Sequence, residues 1–205
     1  MTRFSELMSG QTLLPIIQAD SPEQGVKIAK AMSKAGLNLV EVVLRTEASL
    51  EALSAIKSEV PSLIVGAGTV INEEVLSAAI EVGSDFIVTP AVSNSLLNAL
   101  EACQIPVLPG VSNTADILMT LEAGFTEQKL FPASLSGGAP FLKAVSSVFR
   151  DVTFCPTGGV NQLNKTDYLS LPNVFAVGGT WVAKNEWVSE ENWEAITQSC
   201  QEANA

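Results

Sequence analysis

The stretch Glu127–Ala133, E-Q-K-L-F-P-A, places one lysine, Lys129, inside a short apolar run. A run of this length that stops at Pro132 is typical of a buried strand. A lysine is rarely buried unless it is paired or has a chemical role. Burial favours the neutral amine, which is a nucleophile towards ketones. Two interpretations follow: a lysine that forms an imine, or a lysine at a strand end whose ammonium group reaches solvent.

Apolar runs of this kind recur along the chain and alternate with amphipathic, helix-like segments. The predicted strands are 13–19, 39–45, 63–69, 85–90, 105–110, 128–132, 152–157 and 174–177. Continuous apolar runs are typical of parallel strands buried on both faces. Eight repeated βα units predict an α/β fold, the (β/α)8 TIM barrel. We expect one domain over residues 1–205 with a short leading helix at 2–9; a doubly wound open sheet is the alternative.

Polar capping residues mark the starts of four predicted helices, which run to about residues 35, 82, 103 and 123. The capping residues are Asp20 or Ser21, Asn72, Ser93 and Asn113. The remaining helices are predicted to follow Thr46 as far as about 59, and to span about 140–149, 162–169 and 189–202. A glycine pair at 137–138 is expected to open the first of these last three helices.

Composition excludes several classes of protein. The net charge of −11 argues against a nucleic-acid partner, which needs a basic surface. No apolar run approaches the roughly 18–20 residues of a membrane span, and no secretory signal begins the chain. The three cysteines (Cys103, Cys155 and Cys200) form no metal-binding pattern and suit a reducing compartment. We therefore expect a cytoplasmic protein that binds neither a membrane nor a metal.

The chain contains no histidine. This excludes a histidine-ligated metal site, a Ser-His-Asp triad and a histidine general base. In an enzyme of this composition the base is expected to be a carboxylate.

Active sites of such barrels lie at the carboxyl ends of the strands. Glu41, Val43 and Arg45 alternate along one predicted strand and therefore share a face. The charged pair has two interpretations, a structural ion pair or part of a site directed at the same end as Lys129. Thr69 follows the Gly66-Ala67-Gly68 end of the next strand, where glycines allow a close backbone approach.

Two glycine-rich segments follow the last two predicted strands. They are Thr157-Gly158-Gly159 and Gly178-Gly179-Thr180. Barrels of this class hold phosphate groups after strands seven and eight, through backbone N–H groups. The sequence therefore predicts an amine, a carboxylate, an arginine and a phosphate-binding cradle at one end of a barrel.

With these residues in place, the chain closely resembles the 2-keto-3-deoxy-6-phosphogluconate (KDPG) and 4-hydroxy-2-oxoglutarate (KHG) aldolases. The resemblance covers nearly the whole chain through V-E-V-V-L-R-T at 40–46, V-G-A-G-T-V at 65–70, K-L-F-P-A at 129–133, F-C-P-T-G-G-V at 154–160 and G-G-T-W at 178–181. It implies a class I aldolase, a lyase that uses a covalent lysine imine and no cofactor. It also implies a homotrimer whose small-molecule partners are a phosphorylated keto acid and pyruvate.

The resemblance assigns a role to each matching position. Lys129 corresponds to the Schiff-base lysine and Glu41 to the proton shuttle. The positions bordering the pyruvate part of the substrate are Arg45, Thr69, Pro90 and Phe131. The expected phosphate-binding residues are Thr157, Gly158, Gly159, Gly178, Gly179 and Thr180.

Four positions depart from the family pattern and bear on aldehyde specificity: Val43, Ala91, Ser134 and Thr180. Alternatives left open are an aldolase for the galactonate epimer, a phosphate-binding isomerase or epimerase without a covalent intermediate, and a non-catalytic phospho-sugar binder. A side activity as an oxaloacetate decarboxylase is also compatible with the family.

Overall fold

The computed structural model describes residues 3–204, which form an α/β fold in which every strand pairing is parallel. The strands are β1 (Leu13–Ile17), β2 (Leu39–Val43), β3 (Ile64–Gly68), β4 (Ile87–Val88), β5 (Val107–Leu108), β6 (Gly110–Val111), β7 (Glu127–Leu130), β8 (Thr153–Phe154) and β9 (Val177–Gly179). The helices are α1 (Phe4–Leu7), α2 (Pro22–Lys34), α3 (Ser49–Glu59), α4 (Glu73–Glu81), α5 (Asn94–Ala102), α6 (Thr114–Glu122), α7 (Gly138–Val145), α8 (Lys165–Leu169), α9 (Asn185–Ser189) and α10 (Trp193–Asn204).

The strands form two parallel sheets. Six strands have the order β5-β4-β3-β2-β1-β9, and three have the order β6-β7-β8. Only Pro109 separates β5 from β6 along the chain. Single bridges, Phe154 to Val174 and Thr157 to Gly178, connect the segment around β8 with the segment around β9. The chain therefore alternates parallel strands with helices, as the sequence predicts.

Several predicted boundaries are wrong. The strand predicted at 105–110 is divided into β5 and β6, because Pro109 has no N–H to donate to a ladder. The Gly178-Gly179 pair, predicted to follow a strand at 174–177, lies inside β9. The helix predicted at 189–202 begins later, as α10 at Trp193. The short helix α9 before it was not predicted, and Glu191 in the turn between them has φ +52°. Residue 2 of the predicted leading helix lies outside the described residues.

The predicted caps are confirmed. Ser21 rather than Asp20 caps α2, because the Ser21 side chain accepts the Gln24 N–H. Side chains at the other three positions also accept N–H groups of the first helical turn: Asn72 from Val75, Ser93 from Leu96, and Asn113 from Ala115 and Asp116. The helix predicted to open at the glycine pair begins at Gly138.

Strand alternation separates two buried faces. Val40 and Val42 of β2 pack in the large cluster that includes side chains of α2, α3 and α10. Leu39 points the other way, into a cluster with Phe4 and Met8 from the leading segment. Glu41, two residues on from Leu39, therefore lies on the face opposite the helices.

The leading segment around α1 is joined by hydrogen bonds and an ion pair to β7, the strand that carries Lys129. Glu127 is buried at the start of β7, and its carboxylate accepts hydrogen bonds from the backbone N–H of Ser5 at 3.0 Å and from the Ser5 hydroxyl. Arg3 forms an ion pair with the same carboxylate at 3.4 Å. In the described part of the chain, no helix is long and apolar enough to cross a membrane.

Candidate active site

Lys129 and Glu41 meet in the interior of the protein. The Nζ atom of Lys129 donates to Oε1 of Glu41 at 3.2 Å, and the two side chains are 5% and 0% exposed. Their strands belong to different sheets, β7 and β2. Removing two charges from water is costly, so such a pair is weak evidence for stability and stronger evidence for a role.

The second carboxylate oxygen of Glu41, Oε2, is buried and has no hydrogen-bond partner among residues 3–204. Buried polar atoms normally have a partner, and an exception requires an explanation. A buried acceptor beside an amine can receive a proton from a water molecule or from a substrate hydroxyl.

Gly68 makes room for the Glu41 side chain. A Cβ atom on Gly68 would lie 2.0 Å from Glu41 Oε1, and one on Gly66 would lie 2.2 Å from the Phe86 ring. The close approach that these glycines allow is therefore used by side chains of the protein itself. Their missing side chains are replaced by neighbouring side chains of the protein.

Arg45 lies beyond the end of β2 and is exposed. Its Nε atom donates to Thr69 Oγ1 at 3.2 Å. Thr69 has φ +64°, a left-handed conformation that is unfavourable for a β-branched residue. The structural ion pair of Glu41 with Arg45 is not found, because the buried partner of Glu41 is Lys129.

A cavity of about 170 Å³ opens beside the amine of Lys129. It is lined by Ile16, Val43, Arg45, Lys129, Phe131, Thr157, Gly158, Gly159, Val160, Gly179 and Thr180. The Phe131 ring centroid lies 5.4 Å from Lys129 Nζ. The structure thus brings most of the predicted site residues, including the lysine and the glycine-rich segments, to one cavity.

Four predicted site residues do not line this cavity. Glu41 contacts the Lys129 amine without lining the cavity, and Thr69 contacts Arg45. Pro90 packs over Gly110, where an added Cβ would lie 2.5 Å from the Pro90 carbonyl carbon. Gly178 is buried, and a Cβ there would lie 2.3 Å from Thr157 Oγ1. Gly178 therefore gives space to the Thr157 hydroxyl.

Ile16 and Val160 are lining residues that the sequence reasoning missed. Ile16 pairs in register with Glu41 across β1 and β2. Period-two alternation would have placed Ile16 near the site, but only after the register of the two strands was known. Val160 directly follows the glycine pair, and its proximity to that pair was the available signal.

The backbone at Gly158 and Gly159 has left-handed φ values of +92° and +79°. The N–H groups of Gly158, Gly159 and Val160 have no hydrogen-bond acceptor within residues 3–204. Consecutive unpaired N–H groups in a concave wall are suited to an anion.

Lys165 is a second buried lysine, which the sequence analysis did not single out. Lys165 Nζ donates to the carbonyl oxygens of Glu202 and Ala203, each at 2.8 Å. Burial lowers the pKa of Lys165. Its contacts lie at the end of α10 and not in the cavity, which makes its role structural.

Cys155 lies fully buried near the reactive pair. Desolvation raises the pKa of the Cys155 thiol to about 12; the Lys129 charge opposes this shift and the Glu41 charge adds to it. The thiol is therefore protonated at neutral pH. All three cysteines are buried and free. Within residues 3–204 no cluster of three His, Cys, Asp or Glu side chains is arranged to hold a metal ion.

The comparisons with known proteins agree on one family. The family model described as KDPG and KHG aldolase matches residues 4–199. The chain is 38% identical to a 2-dehydro-3-deoxy-phosphogluconate aldolase of Pseudoalteromonas atlantica, an alignment that covers 98% of this chain and 93% of the relative.

Two solved structures share the fold along nearly their whole length. The first is a KDPG aldolase of Legionella pneumophila with pyruvate captured at low pH as a covalent carbinolamine intermediate. It has a TM-score of 0.96 and 35% identity, and the match covers 100% of this chain and 99% of that one. The second is the 2-keto-3-deoxy-6-phosphogluconate aldolase of Zymomonas mobilis with 3-phosphoglycerate, with a TM-score of 0.89, 40% identity, and coverage of 98% and 94%.

Proposed function

The chain belongs to the KDPG and KHG aldolase family, and on that basis we propose that it is a class I aldolase, a carbon–carbon lyase. It cleaves 2-dehydro-3-deoxy-6-phosphogluconate to pyruvate and glyceraldehyde 3-phosphate, the aldol cleavage of the Entner–Doudoroff pathway of carbohydrate metabolism. The observation that carries the proposal is the buried Lys129–Glu41 pair beside the cavity, with Glu41 Oε2 unpaired among the described residues.

Imine formation is the first step. The neutral amine of Lys129 attacks the C2 ketone of the substrate and forms a carbinolamine, from which water is lost to give an iminium ion. The Legionella pneumophila structure holds pyruvate as a covalent carbinolamine, which is the corresponding adduct of the product in a relative. The lysine imine withdraws electrons from the substrate, so no organic cofactor or metal ion enters the scheme.

Glu41 moves the protons. Its carboxylate accepts the proton of the C4 hydroxyl, directly or through a water molecule, while the C3–C4 bond breaks. The bonding electrons pass to the iminium ion and give an enamine, and glyceraldehyde 3-phosphate leaves. Glu41 then protonates C3, and hydrolysis of the imine releases pyruvate. The unpaired Oε2 atom supports this role, because it can accept a proton without first breaking the contact of Oε1 with Lys129.

The remaining site residues divide between the two ends of the substrate. Arg45, held by Thr69, is assigned to the pyruvate carboxylate, with Pro90 and Phe131 bordering the same part. The proposed phosphate-binding residues are Thr157, Gly158, Gly159, Gly178, Gly179 and Thr180. Left-handed glycines and unpaired N–H groups support this end of the assignment.

Activity towards 4-hydroxy-2-oxoglutarate belongs to the same proposal, because the matching family includes KHG aldolases. That substrate would give pyruvate and glyoxylate by the same imine chemistry. Val43 makes part of the cavity wall apolar. Measuring kcat/KM separately with the gluconate and the galactonate epimer of the substrate determines which one the enzyme prefers.

We also propose that the nine short strands form one closed (β/α)8 barrel, a single domain over residues 1–205. Treating β5 and β6 as one strand interrupted at Pro109 gives eight strands, and the two bridges between the β8 and β9 segments support closure. The family resemblance supports a homotrimer. A cytoplasmic location is consistent with three free, buried cysteines.

The test is to incubate the protein with pyruvate and borohydride, measure its intact mass and map the modified peptide. A reduced pyruvate adduct on Lys129 is expected. Lys129→Met should abolish the adduct, and Lys165→Met, which removes the other buried lysine, should retain it. A folded protein that is saturated with pyruvate and forms no adduct would contradict the aldolase mechanism and favour the isomerase alternative.

A further inference from the structure

We infer that Asn164 is a positioning residue for the phosphate end of the substrate: its side-chain amide fixes the peptide that presents the Val160 N–H to the cavity. The inference rests on the proposed function and deepens it. It concerns how an acidic chain holds a dianion when the cavity lining has no basic side chain besides the two assigned to pyruvate. Lys129 and Arg45 are the only basic residues among those that line the cavity, and both are assigned to the pyruvate end.

In the loop formed by residues 157–164, three successive carbonyl groups accept hydrogen bonds from other groups of the protein. The carbonyl of Thr157 accepts the Ala133 N–H at 2.7 Å, and that of Gly158 accepts the Ser134 N–H at 3.0 Å. The carbonyl of Gly159 accepts Nδ2 of Asn164 at 2.9 Å. The first two bonds come from backbone, and the third depends on a side chain.

Each of these bonds also sets the direction of the next N–H group. A trans peptide is planar, so its C=O and N–H point in opposite directions. Fixing the carbonyls of residues 157, 158 and 159 therefore aims the N–H groups of Gly158, Gly159 and Val160 away from their anchors. These three N–H groups lack acceptors within residues 3–204, and all three residues line the cavity.

The contacts of Asn164 fit this role better than a capping role. Asn164 occupies the N-cap position of α8, yet its side chain makes no hydrogen bond to that helix. Its Oδ1 atom accepts the Asn161 N–H at 2.8 Å while Nδ2 holds Gly159. The amide thus bridges both sides of the loop and prevents the Gly159–Val160 peptide from rotating.

The experiment compares a reaction that uses the phosphate with one that does not. Steady-state cleavage of 2-dehydro-3-deoxy-6-phosphogluconate gives kcat and KM. Exchange of the pyruvate methyl protons in deuterated water, followed by proton NMR, reports the imine and enamine steps alone. Losing one hydrogen bond to a charged group corresponds to roughly a tenfold change or more. For Asn164→Ala we expect KM to rise about tenfold, with a much smaller change in pyruvate exchange.

Two further variants separate positioning from a general effect on the loop. Asn164→Asp keeps the shape and the acceptor for Asn161 but loses the donor to Gly159, so it should also raise KM. Asn161→Ala is the matched control. It removes an amide of the same loop whose one side-chain hydrogen bond within residues 3–204 is accepted from the Leu163 N–H. This control should leave both reactions within about twofold of the original protein.

An observation on the unmodified protein completes the test. Titration with inorganic phosphate should shift the amide resonances of Gly158, Gly159 and Val160 in nitrogen–proton NMR spectra. Absence of those shifts, equal losses in both reactions for Asn164→Ala, or an equal effect of Asn161→Ala would overturn the inference. An unmodified protein without cleavage or pyruvate exchange would instead contradict the proposed function.

Discussion

At the scale of single residues, the proposed chemistry depends on a lysine and a glutamate that are buried together and hydrogen-bonded to each other. Glu41 Oε1 holds the Lys129 amine at 3.2 Å, while Oε2 remains available to a proton donor. The same carboxylate can therefore orient the nucleophile and receive a proton from the substrate. Neither function needs a histidine, and the chain has none.

Replacing Glu41 by Gln should separate imine formation from proton transfer. The amide can still contact Lys129, but it cannot accept a proton. We expect kcat for cleavage to fall by about 10²- to 10⁴-fold, the usual contribution of a general acid–base group. The borohydride-trapped pyruvate adduct should still form, although more slowly. An unchanged rate of pyruvate methyl exchange would show that Glu41 is not the proton shuttle.

Gly68→Ala tests whether the carboxylate needs the space it occupies. The new Cβ would lie 2.0 Å from Glu41 Oε1, so the carboxylate has to move. Because a displacement of about 1 Å can cost roughly 100-fold in rate, we expect kcat to fall by about that factor. Gly178→Ala is the matched variant at the other end of the site. It crowds Thr157 Oγ1 and should raise KM for the phosphorylated substrate more than it lowers kcat.

At the scale of elements, helix α10 is fixed to the rest of the protein at its carboxyl end. Lys165 donates to the carbonyls of Glu202 and Ala203, and Asn204 Oδ1 accepts the Thr12 N–H at 3.0 Å. Carbonyl groups in the last turn of a helix have no partners within that helix. Lys165 satisfies two of these groups with a single cation.

Lys165→Met should therefore reduce stability without removing the chemistry. Hydrogen bonds to a charged donor contribute about 1.5–3 kcal/mol, so we expect the free energy of unfolding to fall by about that amount. Urea denaturation followed by circular dichroism measures the change. The pyruvate adduct should still form on Lys129. Loss of the adduct in a folded variant would mean that the second buried lysine takes part in the reaction.

The elements also show which features of the structure local sequence predicts. Ser21, Asn72, Ser93 and Asn113 were predictable as caps because a capping side chain accepts a backbone N–H that lies within three residues of it along the chain. The division of the fifth predicted strand at Pro109 was not predicted, although proline supplied the signal.

Long-range partners were harder to predict. Lys129 was recognised because its apolar surroundings are local, but its contact with Glu41 spans 88 residues and depends on sheet register. At Gly68 and Gly178 the sequence reveals a missing side chain, but not that Glu41 and Thr157 occupy the space beside it. The burial of Lys165 was not predicted because the helix that contacts it lies 37 residues further along the chain.

At the scale of the whole molecule, the proposed trimer has a simple physical signature. Three chains of 21.6 kDa give a particle of about 65 kDa. Leu135 and Leu163 are 84% and 95% exposed in the isolated chain. Leu135 follows Ser134, whose N–H bonds to Gly158, and Leu163 lies three residues after Val160. Sedimentation velocity of the dilute protein should give the trimer mass. A single species near 22 kDa with full activity would contradict the trimer.

Stability should fall as the pH rises above about 9. Burial raises the pKa of Cys155 and Cys200 from the ordinary value of 9.0 to about 12. Between these values the folded thiols keep their protons and the unfolded thiols lose them. The unfolded state then binds fewer protons, and each thiol lowers the free energy of unfolding by about 1.4 kcal/mol per pH unit. Below pH 9 both states are protonated, and neither thiol contributes a slope.

Urea denaturation at pH 8, 9 and 10 measures this slope. The Cys200 side chain packs among the helices, away from Lys129. In Cys200→Ala the free energy of unfolding should therefore fall less steeply with pH, by the contribution of one thiol, because the other titrating groups are common to both proteins. Adding Cys155→Ala to this variant should remove the contribution of the second thiol from the pH dependence of the free energy of unfolding. Equal slopes in all three proteins would mean that the folded thiols ionise at their ordinary pKa, and hence that water reaches both sites in the native state.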